Sequence, residues 1–325
     1  MAGEDFMIPT NISLPDTENI RSHYHNGSPN RSILGTIGST PLIQLNNCSS
    51  GNVYAKAEFL NPGGSIKDRV ARHILYTAQS TGQLKPGMVI IESTSGNTGI
   101  GLTLVGVQMG YPVICVMPEN MSEERKKIIE AFGGEIVLTP AEDSLSGCLD
   151  VMNEITEKDP DNYYVVNQFE NPLNPEIHYL QTGPEIWRAL KGEVGVIVAG
   201  IGSGGTLQGV GQFLKEKDPN IKIAAVEPKN SASLLGREPG LHQIQGIGDG
   251  FIPDVLDINL VDMVITVSDA EAVETTRMLA RQEGLLVGTS SGANAFAALG
   301  LDNGRNNVVT VLPDRAERYF STALI

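Results

Sequence analysis

Lys67 stands in the run Asn61-Pro-Gly-Gly-Ser-Ile-Lys67-Asp-Arg69, and three other stretches of the chain make its amine a candidate for covalent chemistry. Ser93-Thr-Ser-Gly-Asn97-Thr-Gly99 follows a short apolar run, Met88 to Ile91, and opens an apolar helical pattern at Ile100. Small residues there let the backbone approach an anion closely, and a new helix turns its unpaired N–H groups toward it. Gly202-Ser-Gly-Gly-Thr206 follows the buried-strand run Val194 to Ala199 and precedes another helical pattern, the composition of a phosphate cradle. Gly288-Thr-Ser290-Ser-Gly292 again lies between an apolar run and a helix, and offers a hydroxyl where a charge would otherwise stand. A glycine-rich turn alone is commonly plain turn chemistry, and a lone lysine beside Asp68 and Arg69 is commonly a solvated ion-pair residue. It is the conjunction of the four, in this order from Lys67 to Gly292, that carries information.

Together they supply an amine able to form a Schiff base, donors for a phosphate, and a group for a ring nitrogen. Those are the requirements of pyridoxal phosphate (PLP).

On these residues the chain resembles the cysteine synthase and cystathionine β-synthase family of fold-type II PLP enzymes. Further segments carrying the resemblance are Thr36-Ile-Gly-Ser-Thr-Pro-Leu42, Asn167-Gln-Phe-Glu-Asn-Pro172, Thr182-Gly-Pro-Glu-Ile-Trp187, Gln245 to Pro253 and Glu283 to Gly292. They span nearly everything from Ile33 to the end. The resemblance implies an α/β fold of tryptophan synthase β type, with two parallel-sheet domains and the PLP cleft between them. By similarity, residues 61–171 form a smaller, mobile domain, and residues 33–60 with 172–325 form a larger one that binds the cofactor phosphate. A homodimer is implied on the same ground.

The resemblance also distributes roles. Lys67 holds PLP and, once displaced by the substrate amine, exchanges the Cα proton; burial would move its pKa toward neutrality, as that work requires. Asp68 and Arg69 are expected to form local ion pairs. Asn97 bonds the cofactor 3′ oxygen, while Thr94, Ser95 and Thr98 take the amino acid carboxylate. These are neutral donors, which recognise an anion without adding a countercharge near the ring. Gly202, Ser203, Gly204, Gly205 and Thr206 bind the phosphate, with Ser203 standing where the family more commonly has threonine. Ser290 faces the pyridine nitrogen; a hydroxyl there leaves that nitrogen unprotonated and favours β-elimination over transamination. Gln168 lies near the substrate carboxylate and Gly246 walls the cleft. Asp249, in Gly246-Ile-Gly248-Asp249-Gly250-Phe251, departs from the small apolar residue found in many cysteine synthases. Two roles are open to it: a base for an incoming neutral nucleophile, or a turn residue pointing to solvent.

The implied reaction is β-replacement through an α-aminoacrylate, most closely that of a cysteine synthase taking O-acetylserine and sulfide. A β-cyanoalanine synthase acting on cysteine and cyanide, with a place in cyanide detoxification, uses the same apparatus. So does a cystathionine β-synthase taking serine and homocysteine. The chain ends soon after Arg315-Ala-Glu-Arg-Tyr-Phe-Ser-Thr322, and no haem-ligating Cys and His pair stands out near its start; both points weigh against that last activity. A catalytically silent PLP-binding homologue is the rival from another class, and the joint presence of Lys67, Asn97, Gln168 and Ser290 weighs against it. Gly202-x-Gly204-Gly205 lacks the spacing of a dinucleotide fingerprint, which disfavours a nicotinamide dehydrogenase.

Composition sets bounds of its own. The chain has 325 residues, 41% of them hydrophobic and 19% charged, enough for two domains with ordinary globular cores. A net charge of −15 disfavours nucleic acid or an anionic membrane as partner. No stretch approaches the roughly 20 apolar residues of a membrane helix. Residues 1–32 are polar, aperiodic and rich in Asn, Ser and Pro, which reads as a flexible arm. Its acidic residues suit neither a secretory signal nor a transit peptide, so a cytoplasmic location is the expectation. Cys48, Cys115 and Cys148 are far apart and form no metal motif, and the five histidines are scattered. No metal site is expected, and Cys115, inside an apolar run, reads as a core residue.

The pattern between motifs alternates. Val- and Ile-rich runs at 89–91, 113–116, 136–138, 164–166, 196–199, 221–226, 264–267 and 308–312 read as buried parallel strands. Helical periods at 122–132, 145–158, 184–190, 207–215 and 269–283 lie between them, with Ser122 and Ser268 as expected caps.

Overall fold

The computed structural model describes residues 30–94 and 96–322; the proposed arm, apart from residues 30–32, and Ser95 lie outside the described residues. All eight anticipated strands form. Four of them, β3 (Val89–Ser93), β4 (Val113–Pro118), β5 (Glu135–Thr139) and β6 (Tyr163–Val165), make a fully parallel sheet in the order β5-β4-β3-β6. The other four are β7 (Val196–Gly200), β8 (Lys222–Pro228), β9 (Met263–Val267) and β10 (Val308–Val311). Two short strands join these that the sequence pattern did not reveal, β1 (Leu42–Gln44) and β2 (Val53–Lys56). The second sheet runs β1-β2-β10-β7-β8-β9 and is parallel except for the edge strand β1. β1 and β2 are three and four residues long, too short for a two-residue period to stand out.

Alternation along each strand gives both sheets two buried faces. Ile90, Val113, Cys115 and Met117 face α1 (Lys67–Ser80), α2 (Asn97–Gln108) and α3 (Glu123–Phe132), whereas Ile91 and Val116 face α4 (Ser144–Lys158). In the larger sheet Val198, Val226 and Val308 meet α8 (Asp269–Met278) and α9 (Thr289–Gly300). Ile197, Ile223 and Val309 meet α7 (Gly205–Lys217) on the opposite face. Most of these side chains are fully buried, each stabilising the fold by about 1.5–3 kcal/mol relative to exposure. Among the described residues, no helix is long and apolar enough to cross a membrane.

Three local expectations are corrected. The helix expected at 184–190 is the last part of a longer helical stretch made of α5 (Leu173–Ile177), a wide turn at His178–Thr182 and α6 (Gly183–Ala189). Pro184 lacks the N–H a regular helix needs, and the wide turn just before it absorbs the missing bond. Ser268 caps α8 in a full capping box with Glu271, but Ser122 does not cap α3; its hydroxyl donates to the Arg318 carbonyl at 2.8 Å. Among the described residues Asp68 makes no ion pair: its Oδ2 accepts the Gly63 N–H at 2.6 Å. Arg69 does pair, but with distant partners, Glu58 and Glu185, each at 2.7 Å.

Candidate active site

One cleft opens where the C-terminal ends of strands from both sheets converge, the usual ligand position in open α/β sheets. It encloses about 810 Å³ of space continuous with solvent, within the range of a cofactor plus a small substrate. The N-termini of α1, α2, α7 and α9 begin at Lys67, Asn97, Gly205 and Thr289, so four helix starts lie in the turns around it. Their summed partial positive charge favours anions.

Each anticipated site residue lines this cleft except Gly205 and Ser95. Gly205 is the first residue of α7, packed against Asn174 behind the cradle, and Ser95 lies outside the described residues. Lys67 is half-buried, and its Nζ donates to Ser203 Oγ at 2.7 Å. Burial lowers its pKa to about 8, against the opposing pull of Asp249 and Glu92. The Ser203 hydroxyl is held from the other side by Asn174 Nδ2 at 3.0 Å, and the same amide donates to the Gln168 carbonyl at 2.8 Å. Amine, cradle and Gln168 are therefore parts of one hydrogen-bonded unit.

The cradle itself follows from sequence. β7 ends at Gly200, Gly204 adopts a left-handed conformation at φ 76°, and α7 starts at once. A Cβ on Gly202 would overlap the Gly246 carbonyl oxygen, so only glycine lets these two walls meet. Thr206 Oγ1 lies 3.3 Å from His178 Nε2, and His178 Nδ1 lies 2.9 Å from Thr182 Oγ1. Burial pushes the His178 imidazole down to about 3, so it is neutral. Opposite the cradle, Thr94 Oγ1 accepts the Gly96 and Gly99 N–H groups at 3.1 and 3.3 Å, which folds the turn and leaves its own O–H free to donate. Thr98 Oγ1 donates to Gln168 Oε1 at 2.5 Å.

Sequence reasoning missed the residues behind this wall. Glu92, at the end of β3, accepts the Asn167 N–H at 2.8 Å and the Gln168 N–H at 3.1 Å, one on each oxygen. It thereby holds Asn167 at φ 54° and fixes where Gln168 points. Burial raises its carboxyl to about 7 against those donors. Its place immediately before the Ser93-to-Gly99 run was the available signal; His178 and Asn174 gave none. Asp249 lines the cleft but stays exposed to solvent; desolvation by the protein around it raises its pKa, with Lys67 and His242 pulling the other way. Ser290 is buried at the start of α9, and a Cβ built on Gly246 would lie 3.9 Å from its Oγ. Among the described residues, no cluster of His, Cys, Asp or Glu could hold a metal ion.

The residues fit a phosphorylated, aldehyde-bearing cofactor. The cradle carries donors and no carboxylate of its own, and Lys67 is an amine brought near neutrality. Fold and site together define a fold-type II PLP enzyme. Comparison with known proteins agrees. The family described as "Pyridoxal-phosphate dependent enzyme" matches residues 33–314. A cysteine synthase of Staphylococcus aureus is 46% identical over 304 residues, covering 91% of this chain and 97% of that protein. The crystal structure of cysteine synthase from Entamoeba histolytica superposes with a TM-score of 0.88 at 42% identity, over 92% of each chain. An O-acetylserine dependent cystathionine β-synthase from Helicobacter pylori gives 0.86 at 40% identity, over 91% of this chain and 99% of that one. The chain belongs to the pyridoxal-phosphate dependent enzymes of the cysteine synthase family.

Proposed function

We propose that the protein catalyses PLP-dependent β-replacement, converting O-acetylserine and sulfide to cysteine and acetate. The observation that carries this reading is the single cleft joining the Lys67 amine, the Thr94 to Thr98 turn with Gln168, and the Gly202 to Thr206 cradle. Lys67 would hold the cofactor aldehyde, Gly202, Ser203, Gly204, Gly205 and Thr206 its phosphate, Asn97 its 3′ oxygen and Ser290 its ring nitrogen. When bound, PLP supplies a sink for the electrons released at Cα.

The chain's own residues do the remainder. Thr94, Ser95, Thr98 and Gln168 hold the substrate carboxylate with neutral donors, and Gly246 closes the wall beside Cα. Lys67 Nζ, with its pKa brought to about 8, takes the Cα proton at neutral pH and later returns it. Acetate leaves Cβ as the Cα–H bond breaks, and sulfide bonds to the same carbon. The neutral hydroxyl of Ser290 leaves the ring nitrogen unprotonated, which favours elimination of the β substituent.

Asp249 favours a second reading of the nucleophile. Its carboxyl lines the cleft, where it would deprotonate a neutral acid such as a thiol or hydrogen cyanide, and its charge would oppose hydrosulfide. The deciding experiment loads the protein with PLP and offers O-acetylserine, serine and cysteine in turn against sulfide, cyanide and homocysteine, with products read by mass. Cysteine from O-acetylserine and sulfide is the expected fastest product. Dominant cyanoalanine or cystathionine would replace that name, and no product from any pair would mark a silent homologue.

The reading includes residues 61–171 as a smaller mobile domain against 33–60 with 172–325. Supporting it, β3 to β6 all fall within the first range, while Leu34, Ile37 and Ile177 reach into the same core from outside. It also includes a homodimer, testable by light scattering, and a cytoplasmic location, testable by fractionation.

A further inference from the structure

After β10 ends at Val311, the chain does not turn into a helix but runs through Pro313, Asp314 and Arg315 beneath the cleft. Its backbone meets two of the cofactor-facing turns there. Ile66 N–H donates to the Pro313 carbonyl at 2.9 Å, and Ser65 and Asp314 pair as an antiparallel bridge, one residue and two residues before Lys67. Gly288 N–H donates to the Asp314 carbonyl at 3.1 Å, two residues before Ser290. The side chain of Asp314 meets the third turn: Asn97 Nδ2 donates to its Oδ2 at 2.6 Å. Tyr319 donates its hydroxyl to the same oxygen at 2.5 Å.

We propose that Asp314 is a positioning residue that aims the Asn97 amide at the cofactor and locks the Lys67, Asn97 and Ser290 turns into one frame. The inference rests on PLP occupying this cleft. Asp314 is fully buried, and a carboxylate has acceptors only, so it must face the amino side of Asn97 and not its carbonyl. One amide hydrogen is spent on Asp314, which leaves the other N–H to offer to an oxygen on the ring. The reversed amide would set two acceptors against each other inside the protein. Tyr319 secures the arrangement in turn. The Arg125 guanidinium lies 4.8 Å from the centre of its ring and donates to its hydroxyl at 3.0 Å. Burial and the Asp314 charge raise the Tyr319 pKa, so the hydroxyl stays protonated as a donor. Gly288 allows this close assembly, since a Cβ there would overlap Asp314 Oδ1 and crowd the Tyr319 ring.

The test uses full-length apoprotein titrated with PLP, reading the dissociation constant and the absorbance of the bound cofactor. Asp314→Ala should weaken PLP binding by about tenfold or more, the usual scale for losing a charge-assisted bond. It should also move intensity from the visible band to the near ultraviolet, in the same direction as Asn97→Ala should. The double variant should bind within about twofold of Asn97→Ala alone, because Asp314 acts through Asn97. Asp314→Asn keeps an acceptor and should return within about threefold of the native protein. Native affinity and spectrum in Asp314→Ala, or fully multiplicative losses in the double variant, would overturn the proposal. Should Asp314→Ala not fold, Tyr319→Phe must move the same band in the same direction, and an unmoved spectrum there overturns it equally. A native protein that takes up no PLP would overturn the cofactor reading and this inference with it. Native uptake with an indifferent Asp314→Ala overturns the inference alone.

Discussion

Arg69→Met should cost about 3–5 kcal/mol of folding stability, the scale for removing one partner from a buried ion pair. The structure gives the reason. Arg69 is fully buried, donates to Glu58 from Nε at 2.7 Å and Nη2 at 2.8 Å, and donates to Glu185 from Nη1 at 2.9 Å and Nη2 at 2.7 Å. Lys56, also buried, adds a bond to Glu185 at 2.6 Å and lies 3.8 Å from Glu58. Two acids and two bases balance. Methionine replaces the volume of the arginine stem but leaves two carboxylates with one cation and several acceptors without donors.

The pH dependence has a definite sign. In the native protein burial pushes the Glu58 carboxyl up, but Arg69 outweighs it and holds the pKa below the usual carboxylate range. Stability from Glu58 is thus present above its unfolded value and lost as pH falls through the folded one. In Arg69→Met the sign inverts: an uncompensated buried carboxylate prefers its proton, so the variant's deficit should be largest near pH 8 and shrink toward pH 5. Urea unfolding of the apoprotein at both pH values measures this, without the stabilisation that bound cofactor adds. Adding Glu58→Gln to Arg69→Met restores the charge balance and should recover at least about 1 kcal/mol at pH 8. A deficit below about 1 kcal/mol, or one that grows on acidification, would refute the reasoning.

Lys67→Ala should abolish the visible absorbance of the PLP-loaded protein and all turnover; a borohydride-reducible adduct on another lysine of the native protein would reassign the site. Ser290→Asp should place a charge at the ring nitrogen, shifting the cofactor spectrum and raising side reactions at the expense of β-replacement; an unchanged spectrum and product ratio would remove Ser290 from the ring. Asp249→Ala should slow thiol or cyanide addition by at least about tenfold at neutral pH while sulfide addition holds steady or rises, the scale of a lost general base. Equal effects on every nucleophile, measured by single-turnover mixing, would return Asp249 to a turn residue.

The fold was legible wherever a buried strand met water on neither face, because a run such as Val196 to Ala199 has no other stable use. It was illegible at β1 and β2, whose period is too short, and at Leu173 to Thr182, where a one-turn helix holding Pro175 runs into a wide turn ahead of Pro184. Both prolines are accommodated, one in the first turn of α5 and one behind the wide turn at His178, and no local pattern announces that accommodation.

The site divides along a similar line. Residues that face the cleft sit in glycine-rich turns between a strand and a helix, and such turns are visible because their composition is constrained by close backbone approach. Residues that aim them are constrained only by what they touch across the fold. Glu92 acts on Gln168 from 76 positions away and Asp314 on Asn97 from 217, so spacing along the chain carries no trace of either pairing. Asp68 and Arg69 illustrate the same limit from the other direction. As neighbours of Lys67 they read as a local pair, yet one receives a backbone N–H from Gly63 and the other binds two acids far away in sequence. The start of α1, and with it the reach of Lys67 into the cleft, is thus set from β2, α6 and the segment after β10 at once. A catalytic lysine can be read from its own turn, but its precision belongs to elements that no window around it contains.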